Sequence, residues 1–131
     1  MDIEKEQQDE DFRKGLEIRR SVLGAEYVDK SIGAADEFTE DLQRYLTKTC
    51  WGDVWGRPGL DRRTRSFLNL GMISALNRPH ELKLHIRGAL NNGLTREEIK
   101  EAFLQVGIYC GAPAAIESFR LAREVFEEID G

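Results

Sequence analysis

The chain has 131 residues, 40% of them hydrophobic and 33% charged, with a net charge of −5 at pH 7. That length suits one domain spanning 1–131 with a single core. No apolar run approaches the roughly 20 residues of a membrane span, and no basic block or aromatic–basic interleaving suits a nucleic acid. Membrane and nucleic acid are therefore not expected as partners.

The opening "MDIEKEQQDEDF" is acidic and polar, the reverse of a signal or transit peptide, so the chain is expected to be cytoplasmic. Helix signals dominate from there on. "EDFRKGLEIRRSVL" (10–23) places Phe12, Leu16 and Leu23, with Ile18 and Val22 alongside, at helical spacing, and Gly24 stops it. "GAEYVDKSI" reads as a connection to a second helix over about 34–49 that carries Phe38, Leu42, Tyr45 and Leu46. "CWGDVWGRPGLD" follows, its glycines, proline and two tryptophans marking a structured loop.

Asp61 is a good N-cap for a helix running to about Asn77. From Phe67 to Leu76 nearly every residue of that helix is apolar or small, so it is expected at the centre of the core. Pro79 opens the next helix, and "NNG" ends it. Thr95 and Glu98 supply a capping box for a helix through about Tyr109, and "CGAPAA" breaks it. A last helix covers about 113–129. The fold class is all-α, with about six helices. The generous apolar positions of the central and last helices point to a homo-oligomer.

Three features could carry chemistry. Glu81 and His85 stand four apart on one helix, at the border of the stripe made by Leu82, Ile86 and Leu90. Such a pair is either a proton-handling acid–base pair or a surface contact of about 0.3 kcal/mol. Arg62, Arg63 and Arg65 crowd a helix N-terminus, with Arg57 just upstream. Cations are disfavoured there unless acids offset them or an anion binds. Salt bridges are the plainer account of Arg62 and Arg63, and a weaker one for Arg65. Trp51 and Trp55 form either a lid over a pocket or a loop pinned to the core. Cys50 and Cys110 fit no Cys-x-x-Cys or zinc spacing and are expected as free thiols. His80 beside Pro79 is expected to be exposed, and two histidines without suitably spaced acids make no metal site.

Together, "GLEIRRSVLGAEYVD", "WGDVWGRPGLDRRTRSFLNLGMISAL" and "ELKLHIRGALNNGLTREEIKEAFLQVGIYCGAP", with the spacing between them, resemble the gamma-carboxymuconolactone decarboxylase family. The resemblance covers nearly the whole chain. It implies an alkyl hydroperoxidase D-like helical fold assembling into a ring, usually a hexamer, with a trimer as the alternative. It implies cofactor-free decarboxylation of 4-carboxymuconolactone, a small dicarboxylate lactone, to β-ketoadipate enol-lactone in protocatechuate catabolism. The wider superfamily carries Cys-x-x-Cys-x-x-x-His. With that histidine set on His85, the cysteine positions fall on Arg78 and Glu81, so that thiol chemistry is missing.

On this reading His85 delivers a proton or hydrogen-bonds an oxyanion, with Glu81 orienting and tuning it. Arg65, Arg57 and Arg62 are candidates for the carboxylates, and Trp51 and Trp55 for excluding water. Two other readings stay open: a peroxidase-like protein using Cys50 or Cys110, and a non-catalytic oligomeric binding protein.

Overall fold

A computed structural model describes residues 1–131, all helical and without strands. The chain divides into two compact units, 1–60 and 61–131. No helix is long and apolar enough to cross a membrane.

The first unit contains α1 (Ile3–Glu6), α2 (Glu10–Leu23), α3 (Ala25–Gly33), α4 (Glu40–Tyr45) and a π-helix (Leu46–Val54). Asp9 caps α2 by accepting from the amides of Asp11 and Phe12. The apolar positions Phe12, Leu16, Ile18, Val22 and Leu23 are all buried, as their spacing requires. Gly24, at φ 93°, ends α2 and turns the chain directly into α3. The stretch expected to be a connection is thus a helix, held by Val28 and Ile32, a buried pair four residues apart.

The helix expected over 34–49 does not begin at 34. The Asp36 carboxylate accepts from the amides of Phe38 and Thr39 and makes a turn there instead. Phe38, Leu42 and Tyr45 lie exposed rather than on a buried face. The chain then enters the π-helix, which takes in the first part of the expected loop. α2 meets this π-helix at very close range. A Cβ on Gly15 would lie 1.8 Å from the Thr47 carbonyl oxygen, so only glycine permits the contact.

The second unit contains α5 (Arg62–Leu76), α6 (Pro79–Asn91), α7 (Arg96–Cys110) and α8 (Ala112–Asp130). The whole chain thus has eight α-helices where about six were expected, the extra ones being α1 and α3. Asp61 Oδ1 accepts from the Thr64 amide at 2.7 Å, and Asn77 closes α5 in the left-handed region at φ 56°. Thr95 and Glu98 form both bonds of the capping box, at 3.0 and 2.9 Å. Leu70, Leu82, Ile86, Ile99, Phe103, Leu121 and Val125 form the centre of one core.

α5 departs from its expected place. Ser66, Leu70 and Ser74 are its buried residues, while Leu68, Met72 and Leu76 are exposed. One face of α5 packs on α6, α7 and α8. A helix apolar on most sides therefore shows the rest of its apolar surface to solvent.

Candidate active site

α5 packs against α6 and brings Asn69 to His85. The Asn69 amide nitrogen lies 3.4 Å from His85 Nδ1, a long but specific contact. An amide N–H donating to Nδ1 leaves the proton of neutral imidazole on Nε2. Sequence reasoning passed over Asn69 as a site residue. Its signal was a lone amide within the apolar run "SFLNLGMISAL".

His85 itself is mostly buried, next to Leu82 and Ile86 on the core side of α6. Burial pushes its pKa down to about 4, against the opposing pull of the Glu81 carboxylate. The imidazole is therefore neutral at pH 7. Glu81 is exposed one turn earlier on the same helix. The pair stands at a border, with the acid in water and the base inside. A neutral histidine of fixed tautomer is a hydrogen-bond donor for developing negative charge rather than a ready source of a proton.

The arginines at the start of α5 have different surroundings. Arg63 donates to the Gly93 carbonyl and to Glu98, so the salt-bridge account holds for it. Arg62 is exposed, and its carbonyl accepts from the Asn92 side chain, which also donates to Ser66 at 2.9 Å. Arg65 is half-buried, one turn before Asn69. Three hollows of this unit are lined by other residues. One of about 200 Å³ lies by Ser74, Arg78, Leu82 and Ser118. One of about 450 Å³ lies between α5 and α7, and one of about 600 Å³ between α7 and α8. Glu81 and His85 line none of the three.

Trp51, Trp55 and Arg57 belong to the first unit. The two indoles are buried and stacked, with ring centroids 5.0 Å apart, so they pin the segment down rather than stand open as a lid. Arg57 is exposed. Cys50 and Cys110 are free, and burial pushes the Cys50 thiol up, away from thiolate reactivity. No group of three or more His, Cys, Asp or Glu side chains is arranged to hold a metal.

The 4-carboxymuconolactone decarboxylase of Acinetobacter baylyi is 40% identical over 118 residues, covering 90% of this chain and 88% of that protein. The nitrosuccinic acid decarboxylase npaB of Metarhizium robertsii is 44% identical over 118 residues, covering 90% and 82%. An uncharacterized 15.0 kDa protein of Paracoccus denitrificans is 36% identical over 123 residues. The Carboxymuconolactone decarboxylase family matches residues 40–124. By that match and these identities, the chain belongs to the carboxymuconolactone decarboxylase family.

Proposed function

We propose that the protein is a decarboxylase of small dicarboxylates, with 4-carboxymuconolactone as substrate. The observation that carries this is the 40% identity to a 4-carboxymuconolactone decarboxylase along 90% of the chain. In that lactone the departing carboxylate sits on a carbon conjugated to the ring carbonyl. The C–CO₂ bond breaks, its electron pair enters the conjugated system, and charge collects on the carbonyl oxygen. A proton is then delivered to the ring carbon alpha to the lactone carbonyl, leaving the double bond on the carbon that lost CO₂ and so giving the enol-lactone. The lactone is its own electron sink, so the chemistry calls for no cofactor.

His85 is suited to the middle of this sequence. As a neutral imidazole, it donates a ring N–H to the developing oxyanion. A docked dianion raises the pKa of a nearby imidazole, so substrate itself promotes proton uptake at His85 before the carbanion is quenched. Glu81 adds to that pull and orients the ring. Arg65 and Arg62 are the candidates in this unit for the spectator carboxylate. Arg57, Trp51 and Trp55 are candidates of the first unit, to be judged by substitution.

A second substrate follows from the 44% identity to a nitrosuccinic acid decarboxylase. A nitro group beside the departing carboxylate accepts the electron pair as a nitronate, so the same donor serves. We further propose a ring-like homo-oligomer, a hexamer or else a trimer. Leu68, Met72, Leu104, Ile108, Tyr109 and Ile116 are large exposed apolar side chains on α5, α7 and α8, more than a solitary chain of this size normally shows. Light scattering gives the subunit number.

The deciding assay offers 4-carboxymuconolactone and nitrosuccinate separately and follows substrate loss and CO₂. Turnover of the lactone, with nitrosuccinate slower, is expected. Turnover of neither ends the decarboxylase reading. Folded His85→Ala should lose about 10²–10⁴-fold in kcat. If it keeps full activity, the role of His85 is wrong even where the function is right.

A further inference from the structure

The first unit buries an arginine that meets no acid. Arg19, on α2, is 6% exposed. Its Nη1 donates to Gln43 Oε1 at 2.9 Å and Thr47 Oγ1 at 3.1 Å, both uncharged acceptors. Its Nε–H is buried and donates to nothing. Other arginines of the same unit behave differently: Arg13 pairs with Glu10, Arg20 with Asp29 at 2.7 Å and Arg44 with Glu6 at 2.9 Å. The ionisable side chains that act on Arg19 are Tyr27 and Cys50, neither of them a carboxylate.

A buried guanidinium cannot shed its proton as a buried imidazole can. Its desolvation must be offset by an anion, and this chain supplies none. Gln43 and Thr47 occupy Nη1 and fix the plane of the fork, leaving the Nε–Nη2 edge. That edge presents two parallel N–H groups, the geometry that matches the two oxygens of a carboxylate. The single positive charge balances a monoanionic carboxylate, whereas a phosphate dianion would need further cations. Thr47 and Cys50 lie on the π-helix, a form that occurs disproportionately at functional sites.

We propose that Arg19 anchors an anion site in the 1–60 unit that takes a carboxylate on its Nε–Nη2 edge. The site stands on residues of this unit alone and does not depend on the roles given to Glu81 and His85.

The test uses the full-length ¹⁵N-labelled protein titrated with sodium acetate and, separately, sodium succinate, with sodium chloride at matched ionic strength as control. The Arg19 Nε–H resonance, identified by triple-resonance assignment, should shift downfield and saturate in the millimolar range with either carboxylate. Chloride should leave it in place. Arg19→Lys, which keeps charge but not the parallel donors, should weaken acetate binding at least tenfold. Absence of a shift in the wild-type protein, or an equal shift with chloride, overturns the proposal. So does unchanged affinity in a folded Arg19→Lys variant. The wild-type titration decides even if the variant does not fold, and it decides independently of any turnover assay.

Discussion

The 1–60 and 61–131 units each bury one basic side chain, with opposite consequences. In the second unit, burial discharges His85, and Asn69 fixes its tautomer, so the apolar setting is tolerated without a counterion. In the first, burial presses on Arg19 in the same direction, but a guanidinium stays charged. The units also pack differently. α5 to α8 meet through interleaved Leu, Ile and Phe side chains, whereas α2 and the π-helix meet backbone to backbone across Gly15. Side-chain packing yields to small changes. Backbone contact does not.

That contrast can be broken by substitution, beginning with the interdigitated core. Phe103 is fully buried, so Phe103→Ala should cost about 3–5 kcal/mol in urea unfolding. Gly15→Ala adds one methyl group, yet it should cost about 3 kcal/mol, because the atom it meets is a backbone carbonyl that cannot turn aside. Gly71→Ala on α5 meets nothing within 4 Å and should instead gain about 0.5–1 kcal/mol from helix propensity. If the two glycine variants unfold alike, the backbone contact is not what holds the first unit.

The histidine gives a pH signature. Its folded pKa of about 4 lies below the ordinary 6.5, so the unfolded chain binds the proton more readily. The stability that follows from keeping His85 neutral is fully present above about pH 6.5 and is lost as pH falls towards 4. Wild type should therefore lose more stability between pH 7 and 5 than His85→Asn does in parallel urea titrations. Equal losses would mean that His85 titrates normally. Thr95→Ala, which removes half of the capping box, should cost about 1 kcal/mol by thermal unfolding.

The two units were also unequally legible in the sequence. α5 to α8 announced themselves through Asp61, Pro79, the Asn92–Gly93 stop and the Thr95/Glu98 box, each a local signal whose cause lies within a few residues. α3 went unread because Val28 and Ile32 are its whole buried face, and two residues do not make a period. The π-helix has no comparable sequence signature, since its i→i+5 bonds are imposed by what it packs on. Likewise α5 looked central because composition cannot say whether an apolar face is covered by the same chain.

At the site, Glu81 and His85 were legible from their spacing along the stripe of Leu82 and Ile86. Asn69 was not, since the link between α5 and α6 exists only once they pack. Arg19 was hidden for a similar reason. It lies within a run of charged residues, and nothing local distinguishes it from Arg20, which pairs with Asp29.

The π-helix also bears on which lengths of chain this protein tolerates. A stretch bonded i→i+5 carries one more residue per turn than its α-helical equivalent. Deleting any one residue between Leu46 and Val54 would let the segment relax to i→i+4 bonding. The step from one residue to the next would then widen to the roughly 100° of an α-helix, and side chains within the segment would turn from their present directions. A cut between Trp51 and Trp55 would also change the four-residue spacing that stacks the two indoles. The turn at Arg57 to Leu60 carries no such bookkeeping, so gain or loss of a residue belongs there and not nine positions earlier.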